Sequence, residues 1–329
     1  MLIAAQIIGG LILLFIGGEG LVRGAVSFAR ILKIPAVVIG LTIVAYGTST
    51  PELVVSTMAA MEGKPDIAIG NIVGSNICNI LLILGLAAFI SPIINNPKLA
   101  KRDGSIMIAV SVLLIGMMWD GMISRLEGGI LFALIVAYTW NTFAGAKKRD
   151  TKAQAQADEN VDIEIPDAHD PMWKSILFMF GGLALLVAGS NYLIEGSVAF
   201  ARILGVSEAV IGLTIVAVGT STPELVTSVI AAIKKHADIA VANVVGSNIF
   251  NIIGILGITG LISPIPVSSH FMVLDVWVML AVAVLLTILM MTMKTLGRVT
   301  GFVGIALFTA YTVYLYMGTQ AATSVAGAL

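Results

Sequence analysis

The chain has 329 residues, of which 58% are hydrophobic and only 11% charged, with a mean hydropathy of +1.02; soluble domains carry about 25% charged residues. That balance excludes a soluble globular domain and indicates an all-α polytopic membrane protein whose first partner is the lipid bilayer. A net charge of −1 supplies no concentrated basic face, which argues against nucleic acid as a partner.

The chain begins MLIAAQIIGGLILLFIGG and meets its first charge at Glu19. It lacks the basic segment and small-residue cleavage site of a signal peptide, so a retained first span is expected. At roughly 20 residues per crossing, the apolar runs predict ten transmembrane helices at about 2–22, 35–61, 67–90, 105–119, 126–144, 173–195, 207–233, 239–262, 272–293 and 299–318. The fourth is short and begins nearer Asp103 if extended. Between the fifth and sixth lies the one polar linker, 146–171, with KKRD followed by an Ala/Gln stretch and acids from Asp158 to Asp170. It separates a first transmembrane repeat, 1–145, from a second, 172–329. The single cysteine, Cys78, has no intrachain partner and lies within a span, where a small buried hydrophobe is the expected role.

The two halves repeat each other at a constant offset. GTSTPEL occurs at Gly47–Leu53 and at Gly219–Leu225, and subtracting 47 from 219 gives 172. VSFARILKI at Val26 matches VAFARILGV at Val198, DIAIGNIVGSNICNI at Asp66 matches DIAVANVVGSNIFNI at Asp238, and Ser91-Pro92 matches Ser263-Pro264. Five spans per half is an odd number, so the second half enters the membrane from the opposite side: two inverted five-helix repeats. Charge placement agrees. With the N-terminus outside, inner segments hold Arg23, Arg30, Lys33, Lys98, Lys101, Arg102, Lys147, Lys148, Arg149, Lys152, Lys174, Lys234, Lys235, Lys294 and Arg298, leaving Lys64, Arg125 and Arg202 outside.

Glu52 and Glu224 lie within apolar spans, and an intramembrane carboxylate costs a few kcal/mol unless a cation neutralises it, so each marks a functional site. Pro51 and Pro223 break the helix and free the carbonyls of Gly47 and Gly219. Freed carbonyls, the hydroxyls of Thr48, Ser49, Thr220 and Ser221, and the two carboxylates form an all-oxygen set suited to hard cations. In the third and eighth spans Ser75 with Asn79, and Ser247 with Asn251, are four apart and share a helix face. Gly70, Gly74 and Gly246 admit close helix approach. Asn71, Asn76, Asn243 and Asn248 are read as bridges between helices. Two ionised glutamates are cancelled by one Ca2+, two Na+ or two protons, and an uncompensated charge resists passage through a closed apolar gate, so occupancy licenses the conformational switch. The chain has no phosphate loop, no HExxH and no catalytic triad pattern, so no enzyme activity and no cofactor are expected.

At these residues the chain resembles the cation/Ca2+ antiporter superfamily, specifically the compact prokaryotic sodium/calcium exchangers, whose two repeats each carry a G-T-S-x-P-E core and a downstream G-S-N core. The resemblance implies ten helices with both termini extracellular or periplasmic, a cell (inner) membrane location, and four ion sites between the second, third, seventh and eighth helices. It implies a central calcium role for Glu52 and Glu224 with Thr48 and Thr220, and flanking sodium positions at Ser49, Ser221, Ser75 and Ser247 with the carbonyls of Ala45 and Ala217. Asn79 and Asn251 match the remaining central positions; some relatives have aspartate at the second, so Asn251 makes a potassium requirement less expected. The implied activity is exchange of three Na+ for one Ca2+ by alternating access, with the first and sixth helices sliding over a fixed core in a functional monomer. H+- or K+-coupled exchange is the rival, and a passive channel a more distant one.

The acids Asp158, Glu159, Asp162, Glu164, Asp167 and Asp170 lack an EF-hand pattern and read as a solvated linker. His169, His236 and His270 fall in expected loops and carry no ligand role. Glu19 and Glu195 are placed near span ends, and Trp119, Trp140, Trp173 and Trp277 fit an interfacial belt.

Overall fold

The computed structural model describes residues 2–32, 34–94, 97–157, 171–203 and 217–326. Its long helices are α1 (Leu2–Ile31), α2 (Ala36–Thr48), α3 (Thr50–Met61), α4 (Pro65–Ile90), α5 (Pro97–Asp120), α6 (Arg125–Ala157), α7 (Met172–Ile203), α8 (Thr222–Ile233), α9 (Ala237–Ile262), α10 (Asp275–Thr292) and α11 (Arg298–Ala326). Among the described residues, eight helices are long and apolar enough to cross a membrane, or nine if α2 and α3, bent by 45° at Ser49, are counted as one broken span. The expected seventh span is represented by Ala217–Thr220 and α8; its first half, 207–216, lies outside the described residues, as does the acidic stretch with His169.

Several boundaries differ from the hydropathy reading because a helix does not stop where its apolar stretch does. The first helix runs on to Ile31, so Arg23 and Arg30 are helical, and Arg23 lies over the Phe178 ring at 4.8 Å. The fourth starts at Pro97, which puts Lys98 in its first turn, and Asp103 sits with Lys101 and Arg102 in a π-helical stretch, Ala100–Gly104. The helix through the fifth span continues to Ala157, into the segment read as linker.

Helices α1 and α7 lie antiparallel with glycines at the contact. A Cβ on Gly10 would stand 2.9 Å from the Gly189 carbonyl, and one on Gly17 would stand 2.8 Å from the Gly182 carbonyl. Backbone meets backbone, the mode of association small residues permit in lipid. At the centre, α9 presses into α2, where a Cβ on Gly246 would meet Leu41 O at 2.5 Å. Gly70 faces the Phe271 ring, whereas Gly74 has open space at its Cβ position and does not serve close approach.

The halves interlock. Helix α6 packs on the end of α9, with Gly128 against Gly260 and Leu261, while α11 packs on the end of α4, with Gly301 against Gly85 and Phe89. Two short antiparallel pairings, additions to an all-α reading, cross between halves: Ile93–Ile94 with Thr295–Leu296, and Met122–Ile123 with Ile265–Pro266. These contacts expose a one-residue insertion. Arg125 is equivalent to Arg298 at the helix start, Gly128 to Gly301, and Tyr138 to Tyr311, an offset of 173 (301 less 128) rather than 172. Both tyrosines donate to an aspartate of the preceding long helix, Tyr138 to Asp103 at 3.2 Å and Tyr311 to Asp275 at 2.7 Å.

Candidate cation site

Pro51 and Pro223 do what their missing N–H dictates. Each helix breaks two residues earlier, at Ser49 (φ −82°, ψ 11°) and Ser221 (φ −85°, ψ 10°), and restarts with the glutamate in its first turn. Helix N-termini carry positive partial charge, so the break places Glu52 and Glu224 where a buried carboxylate is best tolerated. The motif is a helix restart, not an acid inserted into a continuous span.

The two copies then cross. Ser49 Oγ donates to Glu224 Oε1 at 2.7 Å, and Ser221 Oγ donates to Glu52 Oε1 at 2.8 Å and touches Ser75 Oγ at 3.2 Å. Both glutamates are 1% exposed. Asn243 Nδ2 bonds Glu224 O and Ser228 Oγ, Asn71 Nδ2 bonds Glu52 O and Ser56 Oγ, and Thr48 Oγ1 reaches Asn243 Oδ1 at 3.3 Å. Ser56 and Ser228, passed over in the sequence, thus brace both glutamate turns.

Asn79 and Asn251 fall where α-helical bonding gives way to π-helical bonding, at Asn79–Ile83 and Phe250–Ile255, an irregularity frequent at functional sites. Each joins an asparagine of the other half: Asn79 Nδ2 to Asn248 Oδ1 and Asn251 Nδ2 to Asn76 Oδ1, both 3.0 Å. Ser247 Oγ donates to the Ala45 carbonyl at 3.4 Å, which Ser49 N and Thr48 Oγ1 also reach. Thr220 is buried at the end of the short helical segment Ala217–Thr220. Tyr46 stacks on Phe250 beside this cluster at 4.3 Å.

One expectation needs correcting. The Gly219 carbonyl freed by Pro223 is not left without a partner, because Ser190 Oγ donates to it at 2.6 Å. Position 18, the counterpart of Ser190, is glycine, so the first copy has no matching hydroxyl. Outside the site, Glu19 pairs with Lys234 at 2.6 Å and Glu195 accepts from Gln6, so both have partners beyond an interfacial position. His270 lies in a short helix, Ser269–Val273, and His236 is half-buried at the start of α9, where burial lowers its pKa.

Among the described residues, five buried side-chain polar atoms have no hydrogen-bond partner, and four are Glu52 Oε2, Glu224 Oε2, Asn79 Oδ1 and Asn251 Oδ1. The fifth is Thr227 Oγ1. Buried acceptors without donors are rare and costly. Four of these oxygens, drawn equally from the two motif copies, are of the hard, neutral or anionic type that ligates a hard cation.

A bundle of apolar helices around buried carboxylates defines an ion-transporting membrane protein. Comparison with known proteins makes this specific: residues 2–144 and 174–320 match the family described as sodium/calcium exchanger protein. The chain belongs to that family, as a compact prokaryotic member of the cation/Ca2+ antiporter superfamily. It is 37% identical to the putative antiporter CaxA of Alkalimonas amylolytica, over 94% of this chain and 96% of the relative. It is 36% identical to the sodium/calcium exchanger MaX1 of Methanosarcina acetivorans, over 93% and 96%, and 35% identical to the inner membrane protein YrbG of Escherichia coli K12, over 88% and 89%. The solved sodium-calcium exchanger NCX_Mj superposes with a TM-score of 0.81 at 31% identity, covering 95% of this chain and 98% of that one. The chain is thus an antiporter of the Na+/Ca2+ exchanger type in a family of multi-pass membrane transporters.

Proposed function

We propose that the chain extrudes one Ca2+ for three entering Na+ by alternating access across the cell membrane. The observation that carries this is the set of four donorless oxygens on Glu52, Glu224, Asn79 and Asn251: two carboxylates supply the charge that a divalent ion cancels, and the amides add neutral oxygen ligands. Thr48 and Thr220 complete the central site. Ser49, Ser221, Ser75 and Ser247, with the carbonyls of Ala45 and Ala217, form the flanking sodium positions. The same glutamates serve both ions, so calcium and sodium exclude each other, and charge balance couples their movement.

In this reading the chain has ten spans in two inverted repeats, with both termini outside, and works as a monomer. The outward and inward distribution of Lys and Arg supports the orientation, and the reciprocal packing of α6 on α9 and of α11 on α4 supports the repeats. The glycine contacts of α1 with α7 favour movement of that pair as one body over the core.

Calcium uptake into proteoliposomes under separate Na+, K+ and H+ gradients tests the proposal. Uptake is expected from a Na+ gradient alone. Equal drive by H+ or K+ reassigns the counter-ion, and calcium flux without any counter-gradient makes the protein a channel.

A further inference from the structure

We infer that Asn76 and Asn248 are positioning residues that orient the ligand amides of Asn251 and Asn79, each acting on the ligand supplied by the other half; the inference rests on the cation-site reading above. The argument follows donors and acceptors from the backbone outward. The carbonyl of Asn248 can only accept, and Asn76 Nδ2 donates to it at 3.4 Å, with Met279 Sδ at 3.6 Å as a second contact. Committing the amide nitrogen turns Asn76 Oδ1 the other way, where it accepts Asn251 Nδ2 at 3.0 Å. An amide carries its donor and acceptor on opposite arms, so holding Asn251 by its nitrogen leaves its Oδ1 on the other arm, buried and without a donor.

The second copy repeats the relay. Asn248 Nδ2 donates to the Asn76 carbonyl at 3.2 Å and contacts Met107 Sδ at 3.7 Å, leaving Asn248 Oδ1 to accept Asn79 Nδ2 at 3.0 Å. All four asparagines are 1% exposed, so water does not substitute for a missing partner. Bridging the helices requires only the two bonds to backbone carbonyls. The additional bonds to Asn79 and Asn251 set which arm of each ligand faces the cation; a released amide can rotate and present its NH2, which repels a metal.

A double-mutant cycle on the purified full-length chain tests this, with calcium binding measured by titration calorimetry in sodium-free buffer. Asn76→Leu is expected to weaken calcium binding about tenfold, the scale of one ligand-orienting hydrogen bond. In an Asn251→Ala background, which keeps both glutamates, it is expected to add nothing. Equal weakening in both backgrounds, or none in the wild type, overturns the inference and leaves a bridging role. Thermal melting reads bridging separately, since loss of the bond to Asn248 O lowers stability in both backgrounds. The independent cycle of Asn248→Leu with Asn79→Ala carries the same expectation and decides the matter if Asn76→Leu does not fold. Wild-type calcium binding by Asn251→Ala, Asn79→Ala and Glu52→Gln together would instead remove the cation site itself.

Discussion

Replacing Glu52 by Gln keeps the side chain's shape and one acceptor oxygen for Ser221 but removes one of two charges from a site that is 1% exposed. At an effective dielectric of about 20 and a charge separation of roughly 3 Å, a carboxylate attracts a divalent ion by about 11 kcal/mol and a monovalent ion by about half that. The carboxylate is buried with or without the cation, so its own desolvation is a cost of folding and not of binding. The loss is about twice as large for Ca2+ as for Na+, and calcium affinity should fall by about three decades or more, with a smaller fall for sodium. Glu224→Gln should match it, since Ser49 and Ser221 give the two carboxylates equivalent partners. In cation-free buffer both variants should melt higher than wild type, because a donorless buried charge has been relieved. Adding calcium should then raise the melting temperature of wild type only. The assays are titration calorimetry, thermal melting, and sodium-driven calcium uptake into liposomes. Either variant retaining uptake with calcium affinity within about tenfold of wild type would refute the reasoning.

Three further outcomes are expected. Asn251→Asp should make calcium uptake more dependent on pH or potassium than wild type, because the new carboxyl faces Asn76 Oδ1; matching uptake profiles across pH and potassium would contradict this. Gly17→Ile drives a side chain into the Gly182 carbonyl, 2.8 Å from its Cβ, and should separate α1 from α7, lowering the melting temperature and sodium-driven uptake together; unimpaired uptake would show that close contact is dispensable. Tyr138→Phe removes a buried bond to Asp103 and should cost about 1–3 kcal/mol of stability while leaving calcium affinity unchanged. A shift in calcium titration would show that the α5–α6 clamp reaches the site.

The membrane class, the duplicated motif and the identities of the polar side chains at its centre are decided locally. Apolar runs must lie in lipid, Pro51 and Pro223 must interrupt their helices, and a carboxylate inside a span requires a compensating charge, so these features follow from neighbouring residues alone. What depends on partners far along the chain was out of reach. The crossed bonds of Ser49 with Glu224 and of Ser221 with Glu52 span 175 and 169 positions, and nothing near either serine specifies them. Ser190 capturing the Gly219 carbonyl follows from how α7 meets the broken helix, and the orientation of four asparagines follows from two backbone carbonyls on facing helices. Amides and hydroxyls donate or accept according to what stands opposite, and only the packed bundle settles what stands opposite.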